Sequence, residues 1–403
     1  MSFNEKWGEY TLKEIATLKR GYDLPKSKRF NGSFPILASN GIVGYHNQFK
    51  VEGPGVTTGR SGTLGKVFYV KDNFWPLNTS LYVEDFHGND EGFIYYYLQT
   101  LDFKNYNGGS SVPTLNRNHI HTIRVKIPSL LEQKSISALL FSLNDKIELN
   151  NQINKNLEEI AQAIFKHWFI DFEFPDENGE PYKSNGGEMV DSELGPIPKG
   201  WEIKKIGEIL KTILGGTPSR KKKIYWENGK IPWINSGKVN DYRIIEPSEY
   251  ITELGLEKSS TKLLPKRTTV IAITGATLGK ISLLEVDCCA NQSIIGILEN
   301  NIFKSEYIYF WMINIIDRLI AWQTGGAQQH INKDNVNKFN ILVPNEKILL
   351  RYYARIKSVF NKISNNCVES KNLQRLRDIL LPKLMSGEIR VPVNNKVLIS
   401  KNN

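Results

Sequence analysis

Gly62-Thr63-Leu64-Gly65-Lys66 returns almost letter for letter as Ala276-Thr277-Leu278-Gly279-Lys280, 214 positions further along a 403-residue chain. A phosphate-binding Walker A loop would need a first Gly five positions before the second and a Ser or Thr after the Lys. Neither copy has them: Arg60 stands five before Gly65, and Val67 and Ile281 follow the lysines. The strand-like continuations Lys66 to Val70 and Lys280 to Leu284 instead make each copy a turn between two strands.

The surrounding sequence repeats in the same order. Trp7 to Ile15 answers Trp201 to Ile209, and Gly32 to Ser39 answers Gly229 to Ser236. Asn78-Thr-Ser80 answers Asn291-Gln-Ser293, Phe93 to Leu98 answers Tyr307 to Met312, and Gly108-Gly109 answers Gly325-Gly326. Asn116 answers Asn332, and Pro128 answers Pro344, from which a gapless 216-residue register continues through Asn150 and Asn366 to Leu157 and Leu373. One module is built twice, and its short, Gly- and Pro-punctuated elements predict a mixed α+β domain.

A long helix follows each module. From Leu131 to Trp168 there is no Pro or Gly. With Ile136 at heptad position a, the expected seam runs Ile136, Leu139, Leu143, Lys146, Asn150, Ile153, Leu157, Ile160, Ile164, a coiled-coil pattern. The second copy puts Ile356, Val359, Ile363, Asn366, Leu373 and Leu380 on the matching seam. The expected organisation is module one over 1–130, helix one over 131–168, a Gly-, Pro- and acid-rich linker over 169–200, module two over 201–345, helix two over 346–385 and a short, loosely held tail over 386–403.

The charge balance is basic, with 52 Lys plus Arg against 42 Asp plus Glu, which suits a polyanionic partner. Three cysteines, Cys288, Cys289 and Cys367, form neither a disulfide framework nor a zinc spacing and fit a reducing cytoplasm. The first twelve residues hold no apolar signal region, and no stretch reaches eighteen uninterrupted apolar residues.

Searches for chemistry come back empty. His119 and His121 could share the face of a strand but lack a third ligand at metal spacing. Pro175-Asp176 is not followed by the D/E-x-K of a nuclease, and Glu369-Ser-Lys371 lies in the second helix's heptads. The tetrapeptide (D/N)-P-P-(Y/F) of an amino-methyltransferase does not occur. The aromatic runs Tyr95-Tyr96-Tyr97 and Phe310-Trp311 fall at matching places in helix-like segments and read as core. Expected catalytic, metal and cofactor-binding residues are therefore none. Basic side chains are better candidates: Lys26, Lys28 and Arg29 occupy the loop that answers Arg220, Lys221 and Lys222. With Arg60, Lys66, Arg117, Lys238 and Lys280 they form the expected DNA-binding set.

Four further segments carry a resemblance. They are Phe165-Lys-His-Trp-Phe-Ile-Asp-Phe-Glu-Phe174, Glu193-Leu-Gly-Pro-Ile-Pro-Lys-Gly-Trp201, the Gly-Gly loops followed by Asn116 and Asn332, and Leu380-Leu-Pro-Lys-Leu-Met-Ser-Gly-Glu-Ile389. Over residues 1 to about 390 the chain resembles the DNA-specificity subunits of type I restriction-modification systems. The resemblance implies two target-recognition domains, each reading half of a split double-stranded DNA site, joined by two helices packed antiparallel. It implies as partners two methyltransferase subunits that bind S-adenosylmethionine and methylate adenine, and two restriction subunits using ATP and Mg, with no cofactor and no catalysis on this chain. A duplicated stand-alone DNA-binding regulator is the alternative, and a stand-alone nuclease or methylase a weaker one. Stretches 40–56 and 237–268 share neither length nor composition, so the two half-sites are expected to differ. The helix-pair and partner interface is expected at Leu143, Asn150, Ile153, Leu157, Ile160, Ile164, Ile356, Val359, Ile363, Asn366, Leu373 and Leu380, with Asn150 meeting Asn366. Some 37 residues of helix would form a strut of roughly 55 Å that sets the spacer between half-sites.

Overall fold

A computed structural model describes residues 7–106, 114–322 and 331–392. The pairs Gly108-Gly109 and Gly325-Gly326, and the tail past residue 392, lie outside the described residues.

The first module runs β1 (Gly8–Thr11), α1 (Leu12–Ile15), β2 (Thr17–Arg20), β3 (Phe34–Ala38), β4 (Gly41–His46), β5 (Gly55–Gly59), β6 (Val67–Val70), β7 (Trp75–Pro76), β8 (Ser80–Asp85), α2 (Glu91–Thr100), α3 (Arg117–His121) and β9 (Arg124–Ile127). The long helix α4 (Leu130–Phe169) follows, then the short pair β10 (Met189–Val190) and β11 (Ile197–Pro198). The second module runs β12 (Glu202–Lys205), α5 (Ile206–Ile209), β13 (Thr212–Leu214), β14 (Ile231–Ile234), β15 (Glu249–Ile251), α6 (Glu253–Glu257), β16 (Leu263–Leu264), β17 (Thr269–Ala272), β18 (Ile281–Leu283), β19 (Cys288–Ala290), β20 (Ile294–Ile297), α7 (Ser305–Ala321), α8 (Lys333–Lys338) and β21 (Asn340–Val343), and leads into α9 (Glu346–Ser386).

The strand orders match between the modules, apart from one added strand, β16, in the second. In the first module β1 pairs with β9, one sheet is ordered β2-β8-β5-β6, and another β4-β3-β7 with β3 and β7 parallel. In the second β12 pairs with β21, one sheet is ordered β13-β20-β17-β18, and another β15-β14-β19-β16 with β14 and β19 parallel. The repeated turn that opened the reading joins β5 to β6 and β17 to β18. Its glycines Gly62, Gly65, Gly275 and Gly279 have φ of +88, +83, +68 and +80°, a region that side chains with a Cβ avoid.

Each module starts its first helix with the same device. Glu14 accepts from the Thr11 amide at 2.6 Å, and Glu208 from the Lys205 amide at 2.9 Å, three residues back in both cases. The aromatic runs are core: Tyr96, Phe310 and Trp311 are buried.

The described chain divides into two compact units, one of residues up to Glu148 together with those from Lys371 onward, the other Leu149–Ser370. The divisions fall inside the long helices. The first unit's core joins Phe93, Tyr96 and Ile94 to Ile136 and Leu140 of α4 and to Leu384 and Met385 of α9. The second joins Tyr307, Phe310 and Trp311 to Tyr352 and Phe360 of α9 and to Phe165 of α4. Each unit thus contains one module, the start of its own helix and the end of the other.

Two expectations about the connecting segments need correction. The 169–200 linker is packed: Phe174 stacks 4.6 Å from Tyr182 and 4.9 Å from Trp201, and Phe169 is buried among them. Residues 386–392 are likewise held, because Arg390 Nη2 donates to Glu132 Oε2 at 2.6 Å and the Ile389 amide to the Lys383 carbonyl at 3.1 Å.

Within each unit the two helices run antiparallel. In the first, Arg377 donates to Asn144 at 2.8 Å. In the second, Asn150 donates to Ser370 at 3.3 Å and Glu369 at 2.8 Å, Asn366 donates to Asn154 at 2.8 Å, and Phe165 lies against Tyr352. Two corrections follow. Asn366 meets Asn154, one turn beyond the expected Asn150. Along the seam of α4 the buried positions include Ile136, Leu140, Ile147, Asn150, Asn154, Ala161 and Phe165, so the second seam position sits four residues after the first and not three. Leu139 and Ile160, expected inside, are 36% and 51% exposed. Lys146 and Ile153 are half-buried at the seam's margin, as are Leu143, Leu157, Ile164, Val359, Leu373 and Leu380, whereas Ile356, Ile363 and Asn366 are fully buried.

Candidate nucleic-acid interface

The basic side chains fall into two classes once their neighbours are known. Lys26 and Lys28 stand exposed on a 3-10 turn, Lys66 and Lys280 close the repeated turns, and Arg117 opens α3. With Lys221, they have no ion pair among the described residues. Lys222 points its ammonium at Tyr225, 3.2 Å from the hydroxyl and 5.2 Å from the ring centre, again without a carboxylate.

The others are already engaged. Arg220 donates through both terminal nitrogens to Glu249, at 2.6 and 2.8 Å, and lies 3.5 Å over the Trp226 ring. That hydrogen bonding holds the Glu249 carboxyl below its ordinary range. Lys238 sits 2.7 Å from Asp241 and 3.8 Å from Glu246 and is mostly covered. Arg29 donates to the Leu24 carbonyl at 3.3 Å, and Arg60 to the Asn78 carbonyl at 3.2 Å. Arg220 is paired with Glu249 from a distant stretch and Lys238 with Asp241, three residues on, and with Glu246, while Arg29 and Arg60 tie down their own loops.

Beside the cations, the segments that differ most between the copies form edge strands. β4 and β15 each lie at the end of their sheet, paired on one side only. They turn Ile42 and Tyr45, and Tyr250, to solvent. Apolar side chains on an edge next to unpaired lysines can enter a groove and touch base edges while the lysines contact phosphate.

No catalytic constellation accompanies this surface. Among the described residues no three His, Cys, Asp or Glu side chains are grouped to hold a metal. His119 and His121 lie on α3 and not on a strand. His119 is exposed, while His121 Nε2 accepts from the Leu18 amide at 2.9 Å. Burial first, then Lys13 and Arg117, lower the His121 pKa. Burial pushes the Cys288 thiol up to about 12 and that of Cys367 up to about 11, far from thiolate chemistry. A groove of about 750 Å³ beside the end of α4 is lined by Lys166, His167, Trp168, Asp171, Arg351 and Arg355. Lys166 is paired there with Asp171 at 2.7 Å, and Arg351 donates to the Pro175 carbonyl at 2.8 Å. No helix among the described residues is long and apolar enough to cross a membrane.

The second unit fastens its module to the helices with buried charge. Arg243, fully covered, donates to the Tyr309 hydroxyl at 3.2 Å and to Glu158 of α4 at 3.2 Å, and the Tyr242 hydroxyl donates to the same carboxylate at 2.7 Å. Arg267 pairs with Glu306 at 2.5 Å, and Ser364 of α9 donates to buried Glu285. Sequence reading passed over all of these, because their partners lie far apart along the chain.

The sequence profile described as "Type I restriction modification DNA specificity domain" matches residues 4–159 and 198–377, one match per module. The chain belongs to the type I restriction-modification DNA-specificity family. The MjaIX specificity subunit of Methanocaldococcus jannaschii is 31% identical over 307 residues, covering 74% of this chain and 69% of that one. The HindI specificity subunit of Haemophilus influenzae is 27% identical over 329 residues, covering 69% and 71%. Among solved structures, the S subunit of a type I restriction-modification system from Mycoplasma genitalium superposes with a TM-score of 0.65 over 96% of this chain and 97% of that chain, at 16% identity, and so shares the fold. Two duplicated α+β modules, each followed by a long helix, are the architecture of a specificity subunit, and the stand-alone regulator is set aside.

Proposed function

We propose that this chain reads a bipartite, asymmetric duplex site, one half per module, and holds two methyltransferase subunits over it. The observation that carries the proposal is the duplication itself. The two modules share strand order, turns and caps, yet differ in the edge strands and loops that lie beside unpaired lysines. A common frame with different reading surfaces reads two different sequences. The apolar residues left exposed on the outer faces of the helices, among them Leu139 and Leu376 in one unit and Ile160 and Val368 in the other, offer a methyltransferase two similar seats. S-adenosylmethionine would belong to those subunits, as ATP and Mg would to two restriction subunits; this chain contributes position and specificity. Such a complex works on DNA in the cytoplasm.

Co-expression with the modification subunit of the same system tests this. The expected result is a complex of two modification subunits per chain that methylates adenine in duplex DNA and loses all methylation when this chain is left out. A modification subunit that methylates the same motif alone would overturn the proposal.

A further inference from the structure

At matching places in the two modules, the residue after the basic run is large, apolar and turned outward. Lys26-Ser27-Lys28-Arg29 is followed by Phe30, 62% exposed, and Arg220-Lys221-Lys222-Lys223 by Ile224, 63% exposed. These are the two most exposed of the large hydrophobic side chains described. Neither hangs on a loose loop. The Phe30 amide donates to His46 Nδ1 at 3.1 Å, and its ring stacks on that imidazole with centres 6.3 Å apart and planes 22° apart. The Ile224 carbonyl accepts from Thr252 Oγ1 at 2.9 Å, and the Thr252 amide donates to the Tyr225 carbonyl at 2.9 Å. His46 ends β4 and Thr252 follows β15, so each apolar tip is pinned to the far end of the matching edge strand, by different residues in the two copies.

An apolar side chain presented twice, rigidly, beside lysines is placed for a surface that is anionic outside and apolar within. Duplex DNA has that order: phosphates at the rim, base edges and stacked rings inside the grooves. We infer that Phe30 and Ile224 are base-contacting residues of the two modules, each pressed against base pairs of its own half-site while Lys26 and Lys28, or Lys221 and Lys222, hold the flanking phosphates. Phe and Ile are both side chains that proteins insert against base steps, and such a contact adds affinity only where the local sequence yields to it. This inference rests on the DNA-recognition reading above. It adds to it by assigning specificity to two residues outside the stretches that differ most.

The test uses the full chain assembled with its modification subunits and a randomised duplex library, from which wild-type and variant complexes each select their site. F30A is expected to bind the wild-type site roughly tenfold more weakly and to relax base preference in one half-site only. I224A should do the same in the other half-site, and F30L and I224L should keep most of the preference. Binding to random duplex, its salt dependence and the melting temperature should stay at wild-type values. Unchanged selection by both alanine variants, or an equal loss on selected and random DNA, would overturn the inference. A wild-type complex that selects no sequence at all would instead overturn the reading beneath it.

Discussion

Arg220 and Lys221 are neighbours with different work. Arg220 is held between Glu249 and Trp226, so its charge is already answered within the protein. Lys221 has no such partner among the described residues. Replacing Lys221 and Lys222 by Ala should weaken binding to specific and random DNA alike and flatten the logarithmic salt dependence by about one unit per lost phosphate contact. Arg220→Ala should leave that slope unchanged and instead lower stability by about 1 kcal/mol, the size of an exposed cation-π contact with its ion pair. Equal slopes for the two variants, measured by binding titrations at several salt concentrations, would remove the distinction. His121 makes a pH prediction. Its folded pKa is lowered, first by burial and then by the charges of Lys13 and Arg117, and its Nε2 accepts from the Leu18 amide. The unfolded chain therefore binds the proton more readily, and the stabilisation, complete above the ordinary histidine pKa near ~6.5, is lost as pH falls through that value toward the folded pKa. His121→Gln should flatten the loss of melting temperature between about pH 7 and 5.5 relative to the parent; an identical pH profile would contradict it.

At the scale of elements, the helices separate what sequence can and cannot say. Their existence, length and equivalence were legible, because a gapless 216-residue register and an unbroken Pro- and Gly-free run leave little else. Their inward face was misjudged. Counting apolar residues favoured Leu139 and Ile160, whereas burial chose Asn154 and Ala161, whose modest side chains let two helices approach while Asn366 supplies the hydrogen bond. Apolar side chains left exposed look, in one sequence, the same as core. The pairing of Arg220 with Glu249 was equally hidden, since nothing short of the fold sets that carboxylate in place. The corrected seam also relocates the test of the helices as a ruler. The compact units divide between Glu148 and Leu149 and between Ser370 and Lys371. Four residues inserted at both points add about one turn, roughly 6 Å, with rotation nearly preserved and the contacts within each unit intact. The variant should still bind, with both half-sites unaltered and a spacer one or two base pairs longer. A folded variant that demands the original spacer would end the ruler idea.

For the whole molecule, the central claim is that one frame, built twice, carries two different readings. Shared strand order, shared turn glycines and shared helix caps make the frame. The edge strands differ between the modules, and the apolar tips Phe30 and Ile224 are tied to them through His46 in one and Thr252 in the other. On the function proposed above, the sequences read by the modules are the ones that partner subunits methylate, so the reading is recorded in the genome. The most direct measurement is the adenine-methylation map of the host with this gene intact and deleted. The account predicts that deletion removes a single motif made of two unlike half-sites separated by an unread spacer of constant length. Loss of a palindromic motif, or of no motif while the modification subunit is still expressed and active, would contradict it.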